Sequence, residues 1–404
     1  MRTDTKEKRQ QKRHKNPLTE KIGGRSMSIL TSKRFQKYFV PGIVFQSCVI
    51  AGGYGTGREL VEYFMGYGPR GGLLGMCIVS LLVWSLICAI SFMFAQIFKK
   101  YDYKSFMKEL MGPGWVVFEI AYICFIVIVL AVVSASAGSI LHELFGLNKW
   151  IGIIGMSVAV FALVMNGSSL IEKVLSLWSF VLYGVYILFL ILVFANFSGQ
   201  IGHNIASVPV TGNWAIGGFQ YSFYNLAIII AVLYTIKHSD TPKDAAIAGV
   251  LSGFIGILPG IILFIAMCGF YPTIIEQELP VDYILTQMNM PWLRYIFQIV
   301  LFGTLIETGS GLIYSITDRI AEAFKNKGQE VPKWSTPVVA VILLVGTTAI
   351  SSFGLTGLIA KGYGTLAWVP FDDLNAEVTS DMTPVEAMEF LQKQMNLTDN
   401  NEEF

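Results

Sequence analysis

The residues with the most chemistry per unit length lie at IAGGYGTG, positions 50–57, followed at once by Arg58, Glu59 and Glu62. Four of the six positions 52–57 are glycine, and each disfavours helix by roughly 1 kcal/mol relative to alanine. The stretch sits in an apolar run, 38–68, long enough to cross a bilayer, which takes about 20 helical residues. Bare backbone N–H and C=O groups at that depth are tolerated only where they face protein or a watery cavity. A helix broken here is a place where something polar binds. The other reading is close helix packing through small residues. Arg58 and Glu62 are four apart on one helical face; they form either an ion pair closing the second half-helix or a contact to solute.

Two further positions carry polar chemistry at membrane depth. Asn225 lies mid-span in YSFYN, 221–225, where an amide needs hydrogen-bond partners. Glu307 lies at the centre of another span. An ionised carboxylate there costs at least ~3 kcal/mol unless paired or hydrated, which makes Glu307 a candidate proton carrier. Thr304 and Thr308 share one face of the same span.

These residues must be positioned by membrane helices. The 404-residue chain is 53% hydrophobic and 14% charged, with mean hydropathy +0.57, and its apolar residues fall in long blocks. That is a polytopic helical membrane protein. A basic arm (1–37, with KEKRQQKRHK) precedes a membrane domain (38–371) and an acidic tail (372–404). Ten spans are predicted: 38–68, 72–98, 115–141, 150–165, 170–194, 214–236, 245–270, 293–320, 335–351 and a short 355–371. The connection 196–213 reads as an uncharged loop, and Pro259 as a kink. The last span reaches about 25 Å against a hydrocarbon core of about 30 Å. In the tail, Thr383, Pro384 and Glu386 form a capping box that starts a short amphipathic helix. Lysine and arginine concentrate in the even loops, which places the N-terminus in the cytoplasm.

The five cysteines all fall in predicted spans with no paired spacing and read as core residues. No nucleophile–base pair, phosphate loop or ligand cluster appears. An enzyme, a resident cofactor and a nucleic-acid partner are not expected; the expected partners are a small-molecule solute and the lipid bilayer. A glycine-broken first span with a polar, helix-poor sixth, five spans later, is the pattern of two inverted five-helix repeats.

VIAGGYGTGRELVEYF at 49–64 resembles the first-helix signature of the YkvI-like bacterial membrane proteins. FYNLAIIIAVL at 223–233 is similar to their sixth helix, and GLIAKGYGTL at 357–366 to the start of their tenth. Those proteins in turn look like the LeuT-fold, or amino acid-polyamine-organocation, secondary transporters, in which broken helices one and six enclose substrate and helix eight helps to bind sodium. The chain departs from them where the tenth helix should continue and VPFDD stands instead. The resemblance implies an all-α LeuT-like 5+5 inverted repeat in the bacterial cytoplasmic membrane. It implies substrate contacts from the backbone of Gly53, Gly55, Thr56 and Gly57, with the N–H groups entering the second half-helix able to hold a carboxylate, and a facing wall of Tyr221, Ser222, Tyr224 and Asn225. Thr304, Glu307, Thr308 and Ser310 would supply coupling, with sodium at Thr308 and Ser310 completed by carbonyls of Ala51 and Gly52. Arg58, Glu59 and Glu62 would gate. The expected activity is ion-coupled symport of a small, amino-acid-like solute by alternating access; the alternative is a germinant-type nutrient receptor of the same fold.

Overall fold

The computed structural model describes residues 32–363 apart from 51, 166, 167, 327 and 333. The predicted N-terminal arm and the capping-box helix of the tail lie outside those residues. The described part is a bundle of helices, with no strand among its residues. Five of its helices are long and apolar enough to cross a membrane, or six if the bent pair formed by Ser335–Ser351 and Leu355–Tyr363 is one span.

The second span shows why a bilayer is the solvent. Along Leu81–Phe98, Trp84, Cys88, Phe92 and Ala95 face the interior, while Leu82, Leu86, Ile90, Met93 and Ile97 on the opposite side are exposed. Both faces are apolar, which suits a helix between a protein core and lipid, not one between a core and water.

Small residues set how closely the helices approach. In the seventh span, Pro242–Cys268, an added Cβ at Gly249 or Gly253 would lie 2.4 Å from backbone atoms of Ala89 or Ser85. Spans two and seven therefore meet backbone to backbone, in the small-xxx-small manner of membrane helices. Thr241 and Asp244 cap the start of this helix reciprocally, and the helix runs on through Pro259. The third span, Trp115–Phe145, buries its serine–alanine run against the fourth, Lys149–Met165: Gly152 abuts the Ala137 carbonyl, where a Cβ would lie at 2.4 Å.

The glycine stretch breaks the first span twice. The helix Val40–Val49 ends at Ile50 (φ −74°, ψ 82°), a single turn follows at Gly52–Thr56, and Gly57 takes φ +81° before Arg58–Phe64. That left-handed conformation is open to glycine at little cost. The sixth span breaks as well, but at 227–228, between Trp214–Leu226 and Ile229–Val232. The 221–225 segment, predicted to be the irregular part, is helical up to the break. The loop predicted over 196–213 is mostly helix, because Ser168–Ser207 continues through it; Ile201 is buried there, and Asn204 Nδ2 donates to the Cys268 carbonyl at 2.9 Å.

The two ends of the bundle are tied differently. At one end Lys37 pairs with Asp240 and Asp244 (3.0 and 2.5 Å), and Arg319 pairs with Glu119 at 3.3 Å, which also accepts from the Tyr103 hydroxyl. Lys37 joins the start of span one to the start of span seven, and Arg319 joins spans eight and three. At the other end Arg58, on the first span, donates to the carbonyls of Ile275 and Gln277, both at 2.9 Å, and pairs with Glu62 at 2.6 Å. Those carbonyls belong to the connection between spans seven and eight, so this end is strapped across.

Candidate functional site

A cavity of ≈ 390 Å³ lies where the broken spans meet span eight. Its wall includes Ser47, Cys48, Val49 and Ile50 from the first span up to its break, and Tyr224, Asn225 and Ile228 around the break of the sixth. Thr304, Glu307 and Thr308 come from the eighth span, Pro291–Asn326; Tyr122 and Phe125 come from the third, and Tyr363 from the last described turn. Glu59 joins this wall from the first turn of the second half-helix.

Local sequence explains the placement. Glu59 is 2% exposed, and one of its oxygens accepts the Tyr224 hydroxyl at 2.5 Å. Its other oxygen lies against Gly53, where an added Cβ would stand 2.2 Å away. A side chain at position 53 would therefore evict the carboxylate. Asn225 Nδ2 donates to the Tyr221 carbonyl at 2.9 Å, which fixes the amide at the edge of the break. Its own carbonyl accepts from Ile228 N at 3.0 Å, a tightened turn of the kind that precedes a break. An aromatic run backs the site: Tyr224 stacks on Tyr363 (4.7 Å between centroids), and Tyr122 on Phe125 (6.2 Å).

Of the residues expected to touch solute or ion, Tyr224, Asn225, Thr304, Glu307 and Thr308 line this cavity, and so does Glu59, expected at a gate. Others do not. Gly55 faces Leu301, 2.5 Å from an added Cβ, and the open side of Gly57 faces Val281 and Met267; both glycines serve packing and turn geometry. The Thr56 hydroxyl donates to the Gly53 carbonyl at 2.8 Å and accepts from Arg58 N at 3.3 Å, while Gly57 N donates to the Tyr54 carbonyl. Two of the N–H groups entering the second half-helix, those of Gly57 and Arg58, are thus occupied by the chain itself. Tyr221 is fully buried in the aromatic core, stacked on Trp84 at 5.4 Å. Ser222 and Ser310 bond back to the carbonyls of Gly218 and Ile306, both at 2.7 Å, the local use of a helical hydroxyl. Ala51 lies outside the described residues, and Gly52 opens the short turn. Arg58 and Glu62 form the ion pair and strap described above, not a wall of the cavity.

Sequence reasoning did not single out Cys48, Tyr122 or Tyr363 as wall residues. Each sits in an apolar span, where a cysteine or tyrosine carries no signal of facing a cavity rather than the core. Glu119, an acid near the start of the third span, pairs with Arg319.

No family model matches the chain. The uncharacterized membrane protein YkvI of Bacillus subtilis (strain 168) is 22% identical over 336 residues, covering 81% of this chain and 92% of that protein. This chain resembles YkvI. The likeness read from the glycine-rich first helix thus extends over most of both chains, and the name that YkvI carries matches the membrane character of the bundle. Among solved structures, a crystal structure of the Eremococcus coleocola manganese transporter, in complex with an aromatic bis-isothiourea substituted compound, is similar at a TM-score of 0.49 and 15% identity, over 84% of this chain and 76% of that one.

Gly53 provides a test of the site's construction. Gly53→Ala is expected to displace the Glu59 carboxylate from Tyr224 and to lower stability by about 1–3 kcal/mol through overpacking, less the gain of roughly 1 kcal/mol from helix propensity. Thermal unfolding of the purified protein checks this, and Gly53→Ala combined with Glu59→Ala is expected to recover most of the loss.

Proposed function

We propose that the chain is an ion-coupled secondary transporter of a small organic solute, built as a LeuT-like pair of inverted five-helix repeats and working by alternating access. The observation that carries this reading is the cavity itself. It lies between spans one and six, both interrupted beside it, and its polar wall comes from those interruptions and from span eight. Unwound backbone beside a midplane cavity is where such carriers hold their cargo. Spans one, two, six and seven would rock against three, four, eight and nine.

The ends of the bundle fit one state of that cycle. With the N-terminus in the cytoplasm, Ser47, Cys48, Gly311 and Ser315 lie on the cytoplasmic side of the breaks, so the cavity extends inward. The Arg58 strap closes the outer side, while the inner ion pairs, Lys37 with Asp240 and Asp244 and Arg319 with Glu119, each stay within one moving group. This is the arrangement of an inward-facing carrier. Coupling by sodium would use Thr308 and carbonyls near the first break; coupling by protons would use Glu307.

The variant that tests the site is Asn225→Ala. It is expected to abolish ligand-induced thermal stabilisation, which in the wild type rises with ligand concentration by mass action, while leaving a monodisperse protein. A variant that binds as the wild type does would remove the cavity from the solute pathway. A panel of amino acids, amines and nucleobases, with and without sodium, supplies the ligands.

A further inference from the structure

We propose that the central cavity receives a protonated amine, docked on the carboxylate of Glu59 with its carbon body against the rings of Tyr122, Phe125, Tyr224 and Tyr363. This rests on the reading of that cavity as the solute site and reverses the charge expected of the solute group that meets the first break. The break was expected to hold a carboxylate on free N–H groups. Two of those groups are taken, Gly57 N by the Tyr54 carbonyl and Arg58 N by the Thr56 hydroxyl. What the second half-helix turns toward the cavity is instead an acid.

Glu59 is placed to act on a cation. The neighbouring guanidinium does not neutralise it, because Arg58 is engaged by Glu62 and by the carbonyls of Ile275 and Gln277. The hydrogen-bond partner of its side chain is a neutral hydroxyl, Tyr224. A carboxylate so enclosed favours an incoming positive charge and opposes a negative one. Among the described residues the cavity wall carries Glu59 and Glu307 and no lysine, arginine or histidine.

The rings supply the second half of the argument. Aromatic faces attract a cation within about 6 Å of the centroid, and more strongly where water is excluded. One ring of this wall already meets a cation: the Arg319 guanidinium lies 4.7 Å from the Tyr122 centroid. Phe125, Tyr363 and Tyr224 form a continuous surface, with centroids 6.5 and 4.7 Å apart, that ends at the Glu59 carboxylate. A carboxylate at the end of an aromatic wall suits an amine with an apolar body, and ≈ 390 Å³ holds one of modest size.

Cys48 is a native reporter, since it is exposed and lines the cavity, while Cys88 and Cys268 are buried. In the full chain with Cys77→Ser and Cys124→Ser, alkylation of Cys48 by N-ethylmaleimide is followed by intact mass in the presence of β-phenethylamine, phenylalanine or 3-phenylpropionate. These probes share a ring and differ in charge. The amine is expected to slow alkylation at a concentration about tenfold or more below that needed of phenylalanine, and 3-phenylpropionate is expected not to protect. Glu59→Gln is expected to erase the preference for the amine. Glu59→Asp, which keeps the charge on a shorter side chain, is expected to keep the amine ahead of 3-phenylpropionate, which separates loss of charge from loss of fold. Equal or better protection by phenylalanine or 3-phenylpropionate, no protection by the amine, or an undiminished preference in Glu59→Gln overturns the proposal. Amine protection without flux in proteoliposomes upholds it and counts against carriage. Flux of phenylalanine without amine protection overturns it and leaves carriage standing.

Discussion

Gly217→Ala is expected to destabilise the bundle strongly. An added Cβ would lie 2.0 Å from the Tyr63 carbonyl oxygen and 2.6 Å from the Tyr67 ring. The first of these is backbone, so no rotamer relieves it, and the two broken spans must separate. Overpacking of this kind costs about 3 kcal/mol or more, beyond the roughly 1 kcal/mol that alanine returns in helix propensity. The control is Gly346→Ala, in the ninth span, where nothing lies within 4 Å of the added carbon. Thermal unfolding in one detergent should show a lowered midpoint for the first variant and an unchanged or slightly raised one for the second. Equal midpoints would mean that spans one and six do not touch as described.

Arg58→Ala should be at least as costly and should also alter the conformational balance. The guanidinium is buried (side chain 8% exposed), and Glu62 is 25% exposed. Removing the cation leaves Glu62 unpaired and strips the Ile275 and Gln277 carbonyls of their donor, so a loss of about 3–5 kcal/mol follows, the range for breaking a buried pair by deleting one partner. Arg58→Leu with Glu62→Leu removes the orphaned charge and is expected to recover part of that loss, the carbonyls remaining unpaired. Because the strap joins the first span to the connection between spans seven and eight, the single variant should also expose the outer side of the bundle. Hydrogen exchange at 273–287 measures this, and faster exchange there than in the wild type is the expected outcome.

The first break was legible because its cause is local. Gly57 needs φ +81°, and a cluster of glycines announces such a need in the sequence. The sixth span's break gives no such signal: it falls at Ala227–Ile228, among residues that ordinarily continue a helix, so tertiary packing and not propensity sets it. For the same reason the segment 221–225 was read as irregular when it is helical. Its polar residues meet different neighbours: Tyr224 and Asn225 line the cavity, Tyr221 stacks on Trp84, and Trp84 Nε1 reaches the Ser222 carbonyl at 3.4 Å. Composition reveals that such a helix carries polar groups but not which neighbour each one meets.

Charge told a similar story. The Arg58–Glu62 pair follows from helical spacing and could be read directly. The Glu59–Tyr224 bond joins residues 165 positions apart, and Arg319 with Glu119 spans 200; no local pattern encodes either. Hydroxyls on span eight looked alike in the sequence, yet Ser310 is spent on its own helix while Thr308 lines the cavity. The helix through 196–207 was missed because its polarity resembles a loop, although Ile201 and Asn204 fasten it to the bundle.

The proposed function requires solute to cross the membrane through the cavity between the two breaks. Uptake of labelled solute into proteoliposomes, for the compounds that stabilise the purified protein, tests it most directly, with sodium and proton gradients imposed separately. Accumulation above the equilibrium level under one gradient, abolished in Asn225→Ala, is the result expected. Saturable binding with no flux under any gradient would contradict the account and make the chain a sensor of its ligand.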